Sequence, residues 1–215
     1  MSGGERGGRA TDGDQSETDW PTAFRGITES VVTTLGPNDL WNVAALGLHP
    51  PDGDGDRDSD APVTARTWGN TRTRRNFHRR GGGYVQFVRD PVLFVDAALS
   101  VREVDEPVVE AADAWIRVDV ERIDAGESGD TRWEEWALRP VDAGVERETV
   151  PTIDRGFNAV VEATVAASRL GVAAYDQSAL RDRLRYFDEV GRNCGGERVR
   201  AALDRLAEAL DEPIR

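Results

Sequence analysis

The sequence predicts a mainly β protein, a six-stranded antiparallel barrel with a C-terminal helical extension, and three observations support this. Six short runs rich in β-branched and aromatic residues lie between positions 27 and 141. One short helical pattern interrupts them after the third run. Beyond Pro151 the apolar spacing changes from alternation to the helical period. Strands that come first, with helices collected at the end, are typical of a small barrel carrying an appended helical layer.

Each predicted strand follows from its own pattern. The first run is dominated by β-branched residues, and the fifth alternates apolar with charged residues, as a half-buried strand does. The tetrapeptide Gly-Pro-Asn-Asp at 36–39 is a turn sequence, so the first two strands should form a hairpin. The six predicted strands are 27–35, 40–48, 61–68, 84–89, 114–123 and 131–141.

Capping residues predict the helices. Asn70 or Thr71 is placed to cap a short helix that ends at the glycines 81–83, and Asp90-Pro91 opens a second short helix. Apolar residues at helical spacing then predict a helix that ends near Leu170, another through Leu180, Leu184 and Phe187, and a last one over 199–210.

Three segments follow along the chain. Residues 1–20 have almost no apolar residue before Trp20 and predict a disordered acidic tail. Residues 21–150 form the barrel domain, and residues 151–215 form the C-terminal helical extension. A length of 215 residues suits one domain with such an extension.

Composition indicates an environment more than a function. Forty acidic residues face 27 basic ones, all of them Arg, which gives a formal net charge of −13. This balance is typical of a halophilic cytoplasm, where salt screens a dense carboxylate surface. A GC-rich genome would explain the missing Lys but not the acid excess. The single cysteine, the hydrophilic N-terminus and the absence of an apolar run of about 20 residues predict a cytoplasmic protein without a membrane span.

Few residues suit nucleophilic or metal chemistry. The two histidines, His49 and His78, lie in no recognisable nucleophile arrangement and have no metal-ligand spacing with Cys194. Asp recurs at every second position over 52–60, but an EF-hand loop counted from Asp52 would need Gly and Glu where Arg57 and Val63 stand. The sequence therefore predicts no metal site and a solvated acidic loop.

The segment TWGNTRTRRNFHRR, residues 67–80, carries five arginines and no acidic residue. Nucleic-acid binding would need a broad positive face, which the acidic remainder of the chain opposes. A phosphate monoester needs only helix N-terminal N–H groups, one or two hydroxyls and a guanidinium. A solvated helix whose arginines pair with the acidic surface is the other interpretation that the residues leave open.

Three stretches together resemble a known family: NVAALG at 42–47, RTWGNTRTRRNF at 66–77 and YVQFVRDP at 84–91. They are similar to the FMN-binding split-barrel superfamily, and within it to the archaeal domain-of-unknown-function 447 family, related to flavin reductases and pyridoxamine-phosphate-oxidase-like proteins. The segments ADAWI at 112–116 and RGFNAVVEA at 155–163 extend the likeness. The resemblance implies a split barrel of Greek-key topology.

The resemblance also implies a cofactor, FMN, held at the subunit interface of a homodimer. By position, Thr71, Thr73 and Asn76 would hold the phosphate, and Arg66 and Arg74 would supply positive charge. Asn42, Ala44 and Ala45 match the strand whose backbone lies along the flavin ring. Gln86 stands where related sequences often have Asn, and position 45 has Ala in place of the expected Pro.

These expectations lead to three hypotheses about function. The first is a flavin-dependent oxidoreductase that takes a hydride from a nicotinamide or another donor and reduces an unidentified acceptor, because the cofactor itself carries the redox chemistry. The second is a non-catalytic flavin-binding carrier or scaffold. The third, which rests on family association alone, is an enzyme of pterin or C1-cofactor metabolism.

Overall fold

The structure, a computed structural model, describes residues 18–51 and 61–210. Most of the predicted tail and the acidic stretch 52–60 lie outside these residues. The strands are β1 Thr28–Leu35, β2 Trp41–His49, β3 Val63–Trp68, β4 Gly82–Val88, β5 Arg102–Val104, β6 Ala112–Ser128 and β7 Thr131–Val145. The helices are α1 Arg72–Arg80, α2 Pro91–Leu99, α3 Arg155–Ala167, α4 Gln177–Cys194 and α5 Glu197–Ala209.

Six strands close an antiparallel barrel in the order β1-β4-β6-β7-β3-β2, because β2 also pairs with β1. The fold class predicted from the sequence is thus confirmed. β1 and β2 form the expected hairpin, in register from Thr28 opposite Leu48 to Leu35 opposite Trp41. The short strand β5 was not predicted. It adds to β2 outside the barrel, and three residues are too few to show an alternating pattern.

Apolar side chains from all six barrel strands fill the interior. Helix α1 also contributes, because Phe77 is only 1% exposed and its ring meets Trp136 edge to face, with ring centroids 5.2 Å apart. Thr71 is the N-cap of α1, and its hydroxyl oxygen accepts a hydrogen bond from the backbone N–H of Arg74. The sequence left Asn70 and Thr71 open for this position.

The N-terminal approach to the barrel begins at Thr18, whose hydroxyl donates to the carbonyl of Val141. Trp20 and Phe24 meet edge to face at 5.1 Å and pack against the barrel core. The last three residues of the predicted tail, 18–20, therefore contact the barrel.

Helices α3, α4 and α5 form a second core beside the barrel. Helix α2 links the two parts, since its Leu93 and Ala97 lie against the outer face of the barrel while its Val95 joins the core of α3, α4 and α5. In that helical core, the buried carboxylate of Asp188 accepts from Arg192, which also donates to Asp204 on α5. This ion cluster fixes α4 to α5.

Strands β6 and β7 form a hairpin far longer than the predicted strands, which ended at 123 and 141. Two glycines in it lie beneath cross-strand tryptophans. Gly126 is paired with Trp133, and Gly144 with Trp115. A Cβ atom at either glycine would lie 2.6 Å from the indole, so each ring covers bare backbone.

Replacing Gly144 with alanine should therefore lower the free energy of unfolding by about 1–2 kcal/mol, because the new methyl group displaces the Trp115 ring. Thermal unfolding measured by circular dichroism checks this. The matched control is Gly47→Ala in β2, another strand glycine, where a Cβ would come no closer than 3.8 Å to a neighbouring atom. A similar loss in both variants would contradict the explanation by ring displacement.

Candidate functional site

The candidate site lies where the N-terminal half of α1 faces the beginning of β2 and the added strand β5. Arg72 of α1 forms an ion pair with Glu103 of β5, with Nη1 and Oε1 2.8 Å apart. Glu103 is in turn opposite Asn42 of β2. Strand β1 completes the site, since Thr34 is opposite Asn42 on its other side.

Two side chains in this region are nearly buried and form no side-chain hydrogen bond with any described residue. Eleven polar or charged side chains are buried among the described residues, and nine of them form side-chain hydrogen bonds within that part of the chain. The other two are Asn42, 5% exposed, and Thr73, 4% exposed. No fully enclosed polar side-chain atom of the described part lacks a partner, so the amide and the hydroxyl reach the surface. The other nine nearly buried polar side chains of the described part are used within the protein, so this pair, which opens to the surface and is not used, is the clearest sign of a ligand site.

Asn76 lies one helical turn after Thr73, and both its amide nitrogen and its amide oxygen form hydrogen bonds within the protein. Its amide nitrogen donates to the hydroxyl of Thr34 at 3.0 Å and to the Thr34 carbonyl at 3.3 Å. Its amide oxygen accepts from Arg79 at 2.9 Å. Asn76 therefore fixes α1 to β1 beside Asn42.

The arginines of the basic run have varied partners. Arg72 and Arg74 pair with Glu103 and Glu134, and Arg80 reaches Asp39 at 3.5 Å. The remaining two form hydrogen bonds to asparagines, Arg75 to Asn70 and Arg79 to Asn76, and no ion pair within the described residues. The interpretation of a helix paired with the acidic surface thus accounts for three of the five arginines.

Glu134 of β7 is the centre of a charged cluster beneath α1. Its carboxylate is 5% exposed and lies 2.7 Å from Arg74 Nη2, 2.7 Å from His78 Nε2 and 3.5 Å from Arg122 Nη1. The hydrogen bond from Arg74, helped by that from His78, outweighs the opposing effect of burial and lowers the pKa of Glu134 to about 2. Arg74 is thus committed to holding α1 on the barrel.

Arg66 lies away from Asn42 and Thr73, on the outer face of β3. Its guanidinium pairs with Glu135 at 2.8 Å and stacks over the Trp133 ring at 4.3 Å. Glu135 also accepts from Thr64.

Gln86 is completely buried and fully bonded. Its amide nitrogen donates to Thr33 and to the carbonyl of Pro107, both at 3.0 Å, and its oxygen accepts from the N–H of Val109 at 2.7 Å. Gln86 therefore holds the segment before β6 against the barrel.

The two alanines of β2 lie on opposite faces. Ala44 packs against the barrel interior, and Ala45 packs against the apolar cluster between the barrel and α2. The structure thus brings Asn42, Thr73 and Asn76 together, with Thr71 at the head of the same helix. Arg66, Ala45 and Gln86 have their contacts elsewhere.

Sequence reasoning missed three members of the site, which are Thr34, Arg72 and Glu103. Thr34 joins Asn42 to Asn76, and Glu103 neutralises Arg72. Glu103 is 31 residues from its partner, so no local pattern signals the pair. Thr34 lies in a run of β-branched residues, so the sequence indicates only that it belongs to a strand.

Among residues 18–51 and 61–210, no group of three or more His, Cys, Asp or Glu side chains is placed to hold a metal ion. In the same part of the chain, no helix combines the length and the apolar character that crossing a membrane requires.

Solved structures resemble this chain to different degrees, and one of them has the same fold over nearly its whole length. An FMN-bound protein of the DUF447 family from Methanosarcina mazei is 24% identical, with a TM-score of 0.70 over 87% of this chain and 97% of that one. The styrene monooxygenase flavin reductase from Pseudomonas putida S12 is 12% identical, with a TM-score of 0.38 over 59% and 93%. Flavoredoxin from Methanosarcina acetivorans is 10% identical, with a TM-score of 0.40 over 64% and 78%.

Two family models match the chain. The N-terminal domain of the protein of unknown function DUF447 matches residues 28–147, which include every strand of the barrel. The second DUF447 model matches residues 154–208, which include α3 and α4 and nearly all of α5. Together they span both the barrel and the helices, and the chain therefore belongs to the DUF447 family.

Proposed function

We propose that this chain binds FMN, with the cofactor phosphate held between α1 and β2. The observation that carries the proposal is the pair of buried, unpartnered side chains, Asn42 and Thr73. A folded chain seldom leaves two such groups unused unless a ligand or water completes their hydrogen bonds. The FMN-bound DUF447 relative from M. mazei supports the choice of cofactor, since it has the same fold.

The residues present fit a phosphate monoester. The hydroxyls of Thr71 and Thr73 would donate to phosphate oxygens, as would the backbone N–H groups of the first turn of α1, which intrahelical bonds leave free. The positive end of the helix favours an anion there. Arg72 would supply positive charge by exchanging Glu103 for the phosphate, which the partial exposure of the ion pair to solvent allows.

Of the other predicted site residues, Asn76 and Arg74 would shape this cradle, whereas Gln86 and Arg66 form their bonds outside it. Asn76 positions α1 against Thr34, Arg74 fixes the helix to Glu134, and Gln86 holds the segment at Val109. Arg66 would need to exchange Glu135 for a ligand before it could bind one. Of the β2 residues, Asn42 would contact the ligand through its amide, whereas Ala44 and Ala45 lie on opposite faces of the strand, so only its backbone could lie along a flat ring.

We further propose that the protein is a cytoplasmic oxidoreductase of a high-salt cell, with a nicotinamide as hydride donor and an acceptor still to be identified. Bound FMN would supply hydride and electron transfer. We also propose a homodimer with FMN at the subunit interface, in which residues 21–150 form the flavin-binding domain and 151–215 the helical extension. The acid excess and the resemblance of the basic run support these assignments.

An absorption spectrum in molar salt followed by titration with FMN tests the binding. We expect saturable binding of one FMN per subunit, and its absence at every salt concentration would refute the proposal. Turnover with NADH or NADPH then tests the enzyme. Tight FMN binding with no reduction by either donor would favour a flavin carrier.

A further inference from the structure

Strand β5 lies at the edge of the sheet and is lightly held there. It has three residues, and its strand partner in the described part of the chain is β2, through Trp41, Asn42 and Val43. Val104 packs against the apolar cluster between the barrel and α2, whereas Val101, directly before the strand, is 69% exposed. Segments with few buried contacts separate from a fold at the lowest free energy. β5 is therefore the least firmly held strand around the candidate site.

Two adjacent side chains of β5 connect it to different parts of the molecule. Glu103 pairs with Arg72 of α1 at 2.8 Å, beside the candidate phosphate cradle. Successive side chains of a strand point to opposite faces, and on the other face the guanidinium of Arg102 lies 3.3 Å from the carboxylate of Asp96 on α2. Asp96 also accepts a hydrogen bond of 2.7 Å from Arg205 of α5. Ion pairs on both faces of β5 therefore connect the helical extension with Arg72.

Glu103 and a phosphate group would compete for the same guanidinium. The side chain of Arg72 is 41% exposed and that of Glu103 is 26% exposed, so a dissolved anion can reach the pair. A phosphate at the start of α1 would bond to the helix N–H groups as well as to Arg72, whereas the other contacts of Glu103 are two of 3.4 Å from Asn38. Because like charges repel, a bound phosphate dianion favours release of Glu103 from Arg72.

We propose that β5 regulates the affinity of the phosphate cradle. The attachment of Arg102 to Asp96, which α5 supports through Arg205, keeps β5 on the barrel and so keeps Glu103 on Arg72, in competition with the cofactor phosphate. The inference rests on the proposed FMN site and adds a regulating element to it. Loss of the attachment should strengthen phosphate binding, although neither α2 nor α5 supplies a residue to the candidate site.

Titration of Glu103→Gln with FMN, followed by flavin fluorescence, tests the competition. We expect the Kd to fall about fivefold to tenfold, because a partly exposed ion pair no longer has to be broken and a repelling charge is gone. The lowest salt concentration at which the chain stays folded keeps screening small. The matched control is Glu121→Gln, which removes the same charge from an exposed pair with Arg139 and should change the Kd less than twofold. Equal effects in both variants would overturn the proposal.

Arg102→Gln tests the attachment, and the sign of its effect is diagnostic. The variant loses a positive charge, so electrostatics alone would weaken the binding of an anion. The proposal predicts the opposite, an FMN Kd about twofold to fivefold lower, because β5 and Glu103 are then held less firmly. Arg132→Gln, which removes the same charge from an exposed pair with Glu127, should not tighten binding. In a chain that already carries Glu103→Gln, adding Arg102→Gln should change the Kd less than twofold.

Amide hydrogen exchange without FMN gives a readout that does not depend on affinity. Exchange at residues 102–104 should be faster in Arg102→Gln than in Arg132→Gln, and equal rates would overturn the proposal. FMN binding that is unchanged or weaker in Arg102→Gln would overturn the regulation by β5 and leave the FMN site standing. Absence of FMN binding in the wild type and in every variant would refute the site and the regulation together.

Discussion

Replacing Asn42 by leucine and Thr73 by valine should weaken FMN binding about 100-fold or more while leaving the protein as stable as before. Both substitutions keep the approximate shape of the side chain and remove its polar atoms. In the structure these atoms have no partner among the described residues, so the substitutions remove no hydrogen bond within that part of the chain. A hydrogen bond to a charged group contributes about 1.5–3 kcal/mol, and each 1.4 kcal/mol is a factor of ten in affinity.

Measuring stability as well as affinity distinguishes a ligand contact from a structural contact. The amide of Asn42 and the hydroxyl of Thr73 reach the surface and form no bond within the described part of the chain, so their replacement by apolar groups of similar shape should change the free energy of unfolding little. Asn76→Ala is the contrasting variant, because it removes the bonds to Thr34 and Arg79 and should lower the free energy of unfolding by about 1–2 kcal/mol. Fluorescence titration with FMN and urea unfolding give the two quantities.

Two results would count against the site. Equal FMN affinity in the double variant would show that the cofactor does not use these groups. A large loss of stability in the double variant would show instead that Asn42 and Thr73 have a structural role. Binding that falls while stability holds is expected only of ligand contacts.

Local patterns were enough to predict the barrel but not all of its strands. The β1–β2 hairpin follows from an alternating pattern and a turn sequence, and Thr71 follows from its place before a helical run. The extension of β6 to Ser128 was missed, since beyond Val120 its side chains are mostly exposed and a bulge near Arg122 interrupts the alternation. Such a strand is stabilised by its partner β7, which no single segment reveals.

The sequence indicates which residues the candidate site contains, but not which of them already form bonds within the protein. The sequence singles out the basic run but cannot say which of its side chains form bonds within the protein itself. Arg74 is bonded to a carboxylate 60 residues away, and Asn76 to a threonine 42 residues away. Only the fold separates these from Thr73, which the same helix leaves without a partner.

The second large effect is expected at Glu134, the carboxylate that holds α1 on the barrel. Glu134→Gln should lower the free energy of unfolding at pH 7 by about 2–3 kcal/mol, because Arg74, His78 and Arg122 then surround a neutral amide. Its neighbour Glu135 is the matched control, since it lies on the opposite face of β7 in a partly exposed pair with Arg66. Glu135→Gln should cost less than about 1 kcal/mol.

The pH dependence identifies the cause of the loss at Glu134. The pKa of Glu134 is about 2 in the folded chain, below the ordinary 4.5. Its ionised form therefore stabilises the fold fully above about pH 4.5, and the contribution is lost as the pH falls toward 2, because the unfolded chain takes up the proton first. Urea unfolding at intervals from pH 7 to 3 should give a shallower acid dependence for Glu134→Gln than for wild type. Parallel curves would mean that Glu134 stabilises α1 by packing, and that its ion pairs with Arg74 and His78 contribute little.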